Sequence, residues 1–214
     1  MPEPPTRPRL RARYNERRDA VLQTAAKVYA ERGYHATSMN ELISATGLTA
    51  GGLYHYIESK ERLLFSLFDQ LMTPLLEQAN AILETADRPE KQLRALVRVW
   101  LEHVEKYRHH MIVFQQEWRT LQDDPRWLEV RKQRRAFEDI LRGLFDRMAA
   151  DGVGPADPEL ARRALLAMVN STAEWLDPDG PRTAHEIADA YSDLIIGKTR
   201  RKRATPATAT SGHR

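Results

Sequence analysis

Apolar residues recur at helical spacing along nearly the whole chain. Val21, Leu22, Ala25, Val28 and Tyr29 lie three and four positions apart from about Arg17 onward, which predicts a first helix ended by Gly33. Prolines at 2, 4, 5 and 8 predict an extended start, so residues 1–14 read as a flexible basic arm. Ser38 and Glu41 have the spacing of a capping box, in which each side chain satisfies the other residue's free backbone N–H. They predict a short second helix through Leu42 and Ile43. Gly47 falls where a helix end favours a left-handed residue, and Thr49 can cap a third helix only two residues later.

Ser59 can cap a long fourth helix, striped by Leu63, Leu64, Leu67, Phe68, Leu71 and Leu75 and running to about Ala86. Asp87 and Pro89 predict a capped restart leading through Leu93, Leu96, Val97, Trp100, Leu101 and Val104, with a break near Arg108 to His110. Asp124-Pro125 begins the helix of Val130, Phe137, Ile140, Leu141, Leu144 and Met148, which GVGP ends. Asp157-Pro158 opens another that ends near Trp175. DPDGP then turns the chain, and a second capping box, Thr183 with Glu186, starts a last helix through Ile196. About nine helices and no strand make the fold class all-α. The tail RRKRATPATATSGHR is poor in apolar residues, so 198–214 read as a basic disordered tail.

Composition narrows what such a helical chain does. Its 214 residues can bury a substantial core, and cysteine is absent, which excludes disulfides, thiolate zinc sites and cysteine nucleophiles. No apolar run reaches the roughly 18 residues a membrane span needs. The basic start MPEPPTRPRLRARY is followed by no apolar segment, so no secretory signal and a cytoplasmic location are expected. Residues 1–18 hold six arginines against two glutamates, and residues 198–214 hold six lysines or arginines and no acid. The net charge of +3 therefore conceals basic ends around an acidic body, which offers positive charge to a polyanion at the ends.

A short helix, a glycine turn and a second short helix is the geometry that lays a recognition helix into the DNA major groove. The stretch LTAGGLYHYIESKER would be that helix and the turn after it. Leu53 and Ile57, four apart, face inward. Gly51 and Gly52 cost about 1 kcal/mol each against alanine in a helix interior; close approach to DNA would repay this. Tyr54, His55 and Tyr56 offer hydroxyl and imidazole groups to phosphates and base edges, and Lys60 adds a charge. Residues two apart on a helix point to different sides, so Tyr54 and Tyr56 are not both core.

Residues 15 to 75, through AVLQTAAKVYAERGYHATSMNELISATGLTAGGLYHYIESKERLL, resemble the DNA-binding domain of the TetR family of bacterial transcriptional regulators. Carried over by position, Ser38, Thr49, Gly51, Gly52, Tyr54, His55, Tyr56 and Lys60, with Met39, Asn40 and Ala50 between them, fall where family members meet DNA. Ser38 and Met39 stand where the pattern favours threonines, and Tyr56-Ile57 replaces His-Phe or Tyr-Phe. The resemblance implies a helix-turn-helix at about 38–57 and, over 76–197, a helical domain that binds a small molecule and dimerises. Its partners would be double-stranded DNA carrying a palindromic operator, a small hydrophobic effector and a second copy of the chain.

Trp100, Trp118, Trp127 and Trp175 all lie in that second region with Met111, Phe114 and Met168. Trp100, Met111, Phe114, Gln115, Trp118, Phe137, Met168, Asn170 and Trp175 are the candidate ligand residues, although any single aromatic is more often core. HHMIVFQQEWRTLQDDPRW and WLDPDGPRTAHEIADAYSDLIIG resemble the subgroup that responds to acyl-CoA thioesters. Asn170 and Glu174 stand where that subgroup often has basic and aromatic residues, which leaves another hydrophobic effector open. Leu160, Ala164, Met168, Ile187, Tyr191 and Leu194 are candidates for a four-helix dimer interface. The rival readings are an enzyme or a helical adaptor that binds no DNA. His103, His109 and His110 with Glu102, Glu105 and Glu117 form no HExxH or ExxH pair, and the histidines read as solvent-facing. No catalytic motif is found, and no cofactor or metal is expected.

Overall fold

A computed structural model describes residues 6–197, and the predicted tail at 198–214 lies outside them. The first helix, α1 (Pro8–Arg32), begins nine residues before the periodicity predicted. Pro8 is the reason: at the first helical position its missing N–H would have been unsatisfied anyway, and its fixed φ suits the helix. The segment from Pro8 to Tyr14 is thus helical, not an extended arm, and Tyr14 is buried. Gly33 leaves α1 with φ 87°, a conformation that only glycine adopts cheaply.

The next helices form as their caps dictate. Helix α2 (Met39–Thr46) opens with the complete capping box, Ser38 N–H donating to Glu41 Oε2 at 2.7 Å and Glu41 N–H to Ser38 Oγ at 3.3 Å. The Ser38 N–H, then its hydroxyl and Arg32, hold the Glu41 carboxyl below the usual carboxylate range. Gly47 is left-handed at φ 64°. Thr49 caps α3 (Ala50–Tyr56) and Ser59 caps α4 (Lys60–Leu83).

Helix α4 stops three residues short of the predicted end because its last carbonyls are taken from outside. The buried Gln92 amide donates to Ile82 O, Leu83 O and Thr85 O, while Arg147 donates to Gln92 Oε1 at 2.8 Å. Helix α5 (Pro89–Lys106) starts without the predicted cap. Arg88 occupies the cap position and makes no side-chain cap bond, while Asp87 pairs with Lys91 instead. Tyr107 breaks the chain, α6 (Arg108–Leu121) resumes it, and a 3-10 turn at Pro125–Trp127 capped by Asp124 leads into α7 (Leu128–Ala150). Asp157 caps α8 (Pro158–Trp175), and the Thr183–Glu186 box caps α9 (Ala184–Ile196).

Among the described residues there are nine α-helices and no strand. Leu22, Tyr29, Leu42, Leu53 and Phe68 share one apolar core that continues through α4 into the second half of the chain. Helix α1 packs along α6 and α9 along α5. The α5–α9 contact carries Arg94–Asp193, Arg98–Asp189 and Glu102–His185. Successive pairs step four residues up α5 and four down α9, so the helices run antiparallel. Such exposed pairs contribute at most about 1 kcal/mol each, so they set register more than stability. Thr183→Ala should cost about 1 kcal/mol through the missing cap, visible as a lower midpoint in urea.

Candidate nucleic-acid interface and effector cavity

Helix α3 has one buried and one open face. Leu53 and Ile57 are fully inside, whereas Tyr54, His55, Ala50 and Gly51 are exposed. The two glycines differ. A Cβ on Gly52 would sit 3.2 Å from Thr49 Oγ1, the hydroxyl that accepts the Gly52 N–H, while a Cβ on Gly51 would meet nothing within 4 Å. Packing therefore explains a small residue at 52 and gives no account of one at 51.

The three aromatics also separate. Tyr56 is half-buried with its ring 5.2 Å from that of Tyr14, and Tyr14 Oη donates to His55 O at 3.3 Å. Tyr54 alone stands clear. The Ser38 hydroxyl is engaged at both ends by Glu41, whereas the Thr49 hydroxyl accepts from Gly52 and keeps its proton to donate. On α2 Asn40 is exposed and Met39 half-buried. Lys60 is turned inward on the α1–α2 turn, with Nζ 4.4 Å from the Tyr34 ring centre and donating to His35 O at 3.4 Å. Partial burial lowers its pKa.

Seven of the nine candidate ligand residues do line one cavity of about 230 Å³: Trp100, Met111, Phe114, Gln115, Trp118, Phe137 and Asn170. Trp100 and Phe137 meet edge to face with centres 4.7 Å apart, and the Gln115 amide donates to Asn170 O at 2.7 Å. Met168 and Trp175 do not line it. Helix α8 is apolar on several faces, and these two look away from the cavity, Trp175 being 53% exposed. Sequence reasoning missed the α4 wall of Leu71, Met72 and Leu75, and also Leu166, Arg134 and Glu138. The Arg134 guanidinium lies 4.0 Å over the Trp118 ring and bonds Glu138 at 2.9 Å. Arg134, Glu138 and Trp118 also border a polar groove with Arg131 and Arg135. The cavity is thus an apolar chamber with the Arg134–Glu138 ion pair at one side, shared with a groove where Arg131 and Arg135 stand with Asp123.

Helix α6 ties this chamber to α3's surroundings. Glu117, between the cavity residues Phe114 and Trp118, is buried, and its Oε2 lies 3.1 Å from His35 Nε2 on the α1–α2 turn. Arg126, just after α6, pairs with Glu61 in the first turn of α4 at 2.8 Å.

Of the six candidate dimer residues, Leu160 and Leu194 are 63% and 73% exposed, Ala164 is exposed, and Met168 and Tyr191 are half-buried. Ile187 is buried in the core of the chain. The histidines correct the expectation that they face solvent. His103 and His110 are buried, with Nε2 2.6 Å from Leu71 O and 3.1 Å from Gln70 Oε1, because α4 covers them. Burial, then His109 and His103, push the His110 pKa down to about 3. Unfolded, this group takes its proton near pH 6.5, so the unfolded chain binds more protons between those values. The fold should lose about 1.4 kcal/mol per pH unit as pH falls below that range's upper end, and His110→Gln should flatten the slope in urea unfolding at pH 7, 6 and 5.

Known proteins share this arrangement. Residues 21–67 match the model for bacterial regulatory proteins of the tetR family, and residues 86–198 that for the tetracyclin repressor-like C-terminal domain. The HTH-type transcriptional repressor KstR2 of Mycolicibacterium smegmatis is 29% identical over 186 residues, covering 85% of this chain and 89% of that protein. The TetR family regulator PfmR from Thermus thermophilus is 35% identical with TM-score 0.72, over 82% of this chain and 96% of that one. AibR, solved in complex with isovaleryl coenzyme A and operator DNA, is 31% identical with TM-score 0.71, over 84% and 98%.

Proposed function

The chain belongs to the TetR family of bacterial regulatory proteins, and from that premise we propose that it is a dimeric repressor released from a palindromic operator by an acyl-CoA thioester. It is a DNA-binding transcriptional regulator, not an enzyme. The observation that carries the reading is the open face of α3, where Gly51 has no internal reason to lack a side chain and Tyr54 stands exposed beside it. A helix bare at that point can sink against base edges and phosphates. It works where the DNA is, in the cytoplasm.

The effector class is supported by the chamber and by AibR. An acyl chain suits the wall of Trp100, Phe114 and Phe137, and phosphates suit the arginines beside Trp118. At about 230 Å³ the chamber favours a short or branched acyl group. Filling it displaces Phe114 and Trp118 on α6, and with them Glu117 and the His35 turn. Leu160, Ala164, Met168 and Leu194 supply the apolar side of the dimer contact. The effector then selects a dimer whose recognition helices no longer match half-sites roughly 34 to 36 Å apart.

The test is fluorescence anisotropy on a duplex selected by the protein from a random pool, titrated with short-chain and long-chain acyl-CoA thioesters. Release by a short thioester is expected. Binding that no thioester disturbs would remove the effector class and leave the regulator. Leu166→Trp, placed into the chamber, should keep operator affinity and raise the releasing concentration about tenfold or more.

A further inference from the structure

We propose that the N-terminal three turns of α1 are a rigid second DNA-contacting element, held beside the recognition helix by Tyr14, that grips backbone phosphates at the outer edge of each half-site. The inference deepens the regulator reading and rests on it.

Three observations converge. First, Tyr14 is a buried aromatic with no place in the main core. Its ring lies 5.5 Å from that of His55 and 5.2 Å from that of Tyr56, and its hydroxyl bonds the His55 carbonyl. These are the last residues of α3, so Tyr14 fixes α1 to the end of the recognition helix. Second, a wide groove of about 650 Å³ runs between the two, bordered by Arg13, Arg17, His55 and Tyr56, with Glu16 its lone acid. Third, Arg9, Arg11, Arg13 and Arg17 make no ion pair among the described residues. Of the arginines elsewhere, Arg32, Arg94, Arg98, Arg126 and Arg163 pair with carboxylates, and no other stretch of the described chain gathers four arginines without an ion pair on one short segment of helix.

Arginines left unpaired on a rigid rod, next to a surface that meets DNA, suit phosphate oxygens. From Arg17 back to Pro8 the helix spans roughly 14 Å, enough to reach about four base pairs beyond the recognition helix at 3.4 Å each. Because the rod is already ordered, contact costs less chain entropy than ordering a flexible arm would.

The test is the salt dependence of binding for wild type, Arg13→Ala/Arg17→Ala, Tyr14→Phe and Tyr14→Ala, on a selected duplex trimmed to its half-sites and on the same duplex with five base pairs added at each end, roughly the reach of the rod. Wild type should bind the longer duplex more tightly and with a steeper salt slope. The arginine pair should lower the slope by about 0.9 for each phosphate no longer neutralised, and only on the longer duplex, with base preferences unchanged. Both arginines are exposed, so folding should not be affected. Tyr14→Phe should keep the advantage of the added flank and Tyr14→Ala should lose it. An unchanged slope and flank effect in the arginine variant overturns the proposal and leaves the regulator standing. A wild-type protein that selects no sequence overturns the regulator reading and this proposal with it.

Discussion

Gly51→Glu should abolish specific operator binding while the protein melts at or above the wild-type temperature. The two readouts move apart for a physical reason. A side chain at 51 enters open space, replacing glycine within a helix gains up to about 1 kcal/mol, and an acid in a helix's first turn meets the positive end of its dipole. The fold therefore has nothing to lose. On DNA the same carboxylate would be pressed against phosphates, where like charges cost several kcal/mol, so affinity should drop by about a hundredfold or more. Anisotropy and thermal melting on one preparation decide it. Undiminished binding would remove α3's open face from the interface.

Phe68→Ala should have the opposite signature, a large loss of stability. Phe68 is fully buried, meets Phe114 edge to face at 5.0 Å and Trp127 at 5.7 Å, and so joins α4 to α6 and to the turn before α7. Truncating such a ring costs about 3 to 5 kcal/mol, or roughly 6 to 20 °C in melting temperature for a chain of this size. A shift under about 2 °C would mean that the site collapses around the missing ring.

The sequence disclosed whatever local chemistry controls. Both capping boxes, the left-handed Gly47 and the caps at Thr49, Ser59 and Asp157 are decided within four residues and stand where the spacing placed them. The inward turn of Leu53 and Ile57 follows from period alone. What escaped depends on distant partners. His103 and His110 are buried by a helix more than thirty residues away. Arg134 and Glu138 pattern as a solvated pair, yet they border the chamber because α7 lies along Trp118. Helix α8 is apolar on several sides, so period could not say that Asn170 faces the chamber while Met168 and Trp175 do not. Pro8 misleads by a different route, since a proline that bars a helix interior is welcome in a first turn.

The buried amide of Gln92 gives α4 a fixed end. The helix runs on for 24 residues to Lys60, about 35 Å of axis at 1.5 Å per residue, past the chamber wall of Leu71 and Leu75. In the proposed release α4 would be the lever, with its pivot at Gln92, its load at the end that follows the recognition helix, and Pro74, beside the chamber wall, as the point where it bends. A tilt of about 5° at the pivot carries the far end about 3 Å, close to the rise of one base pair. Under the proposed release, a small push on the chamber wall would shift the recognition helix by about one base-pair step without deforming the DNA-binding domain.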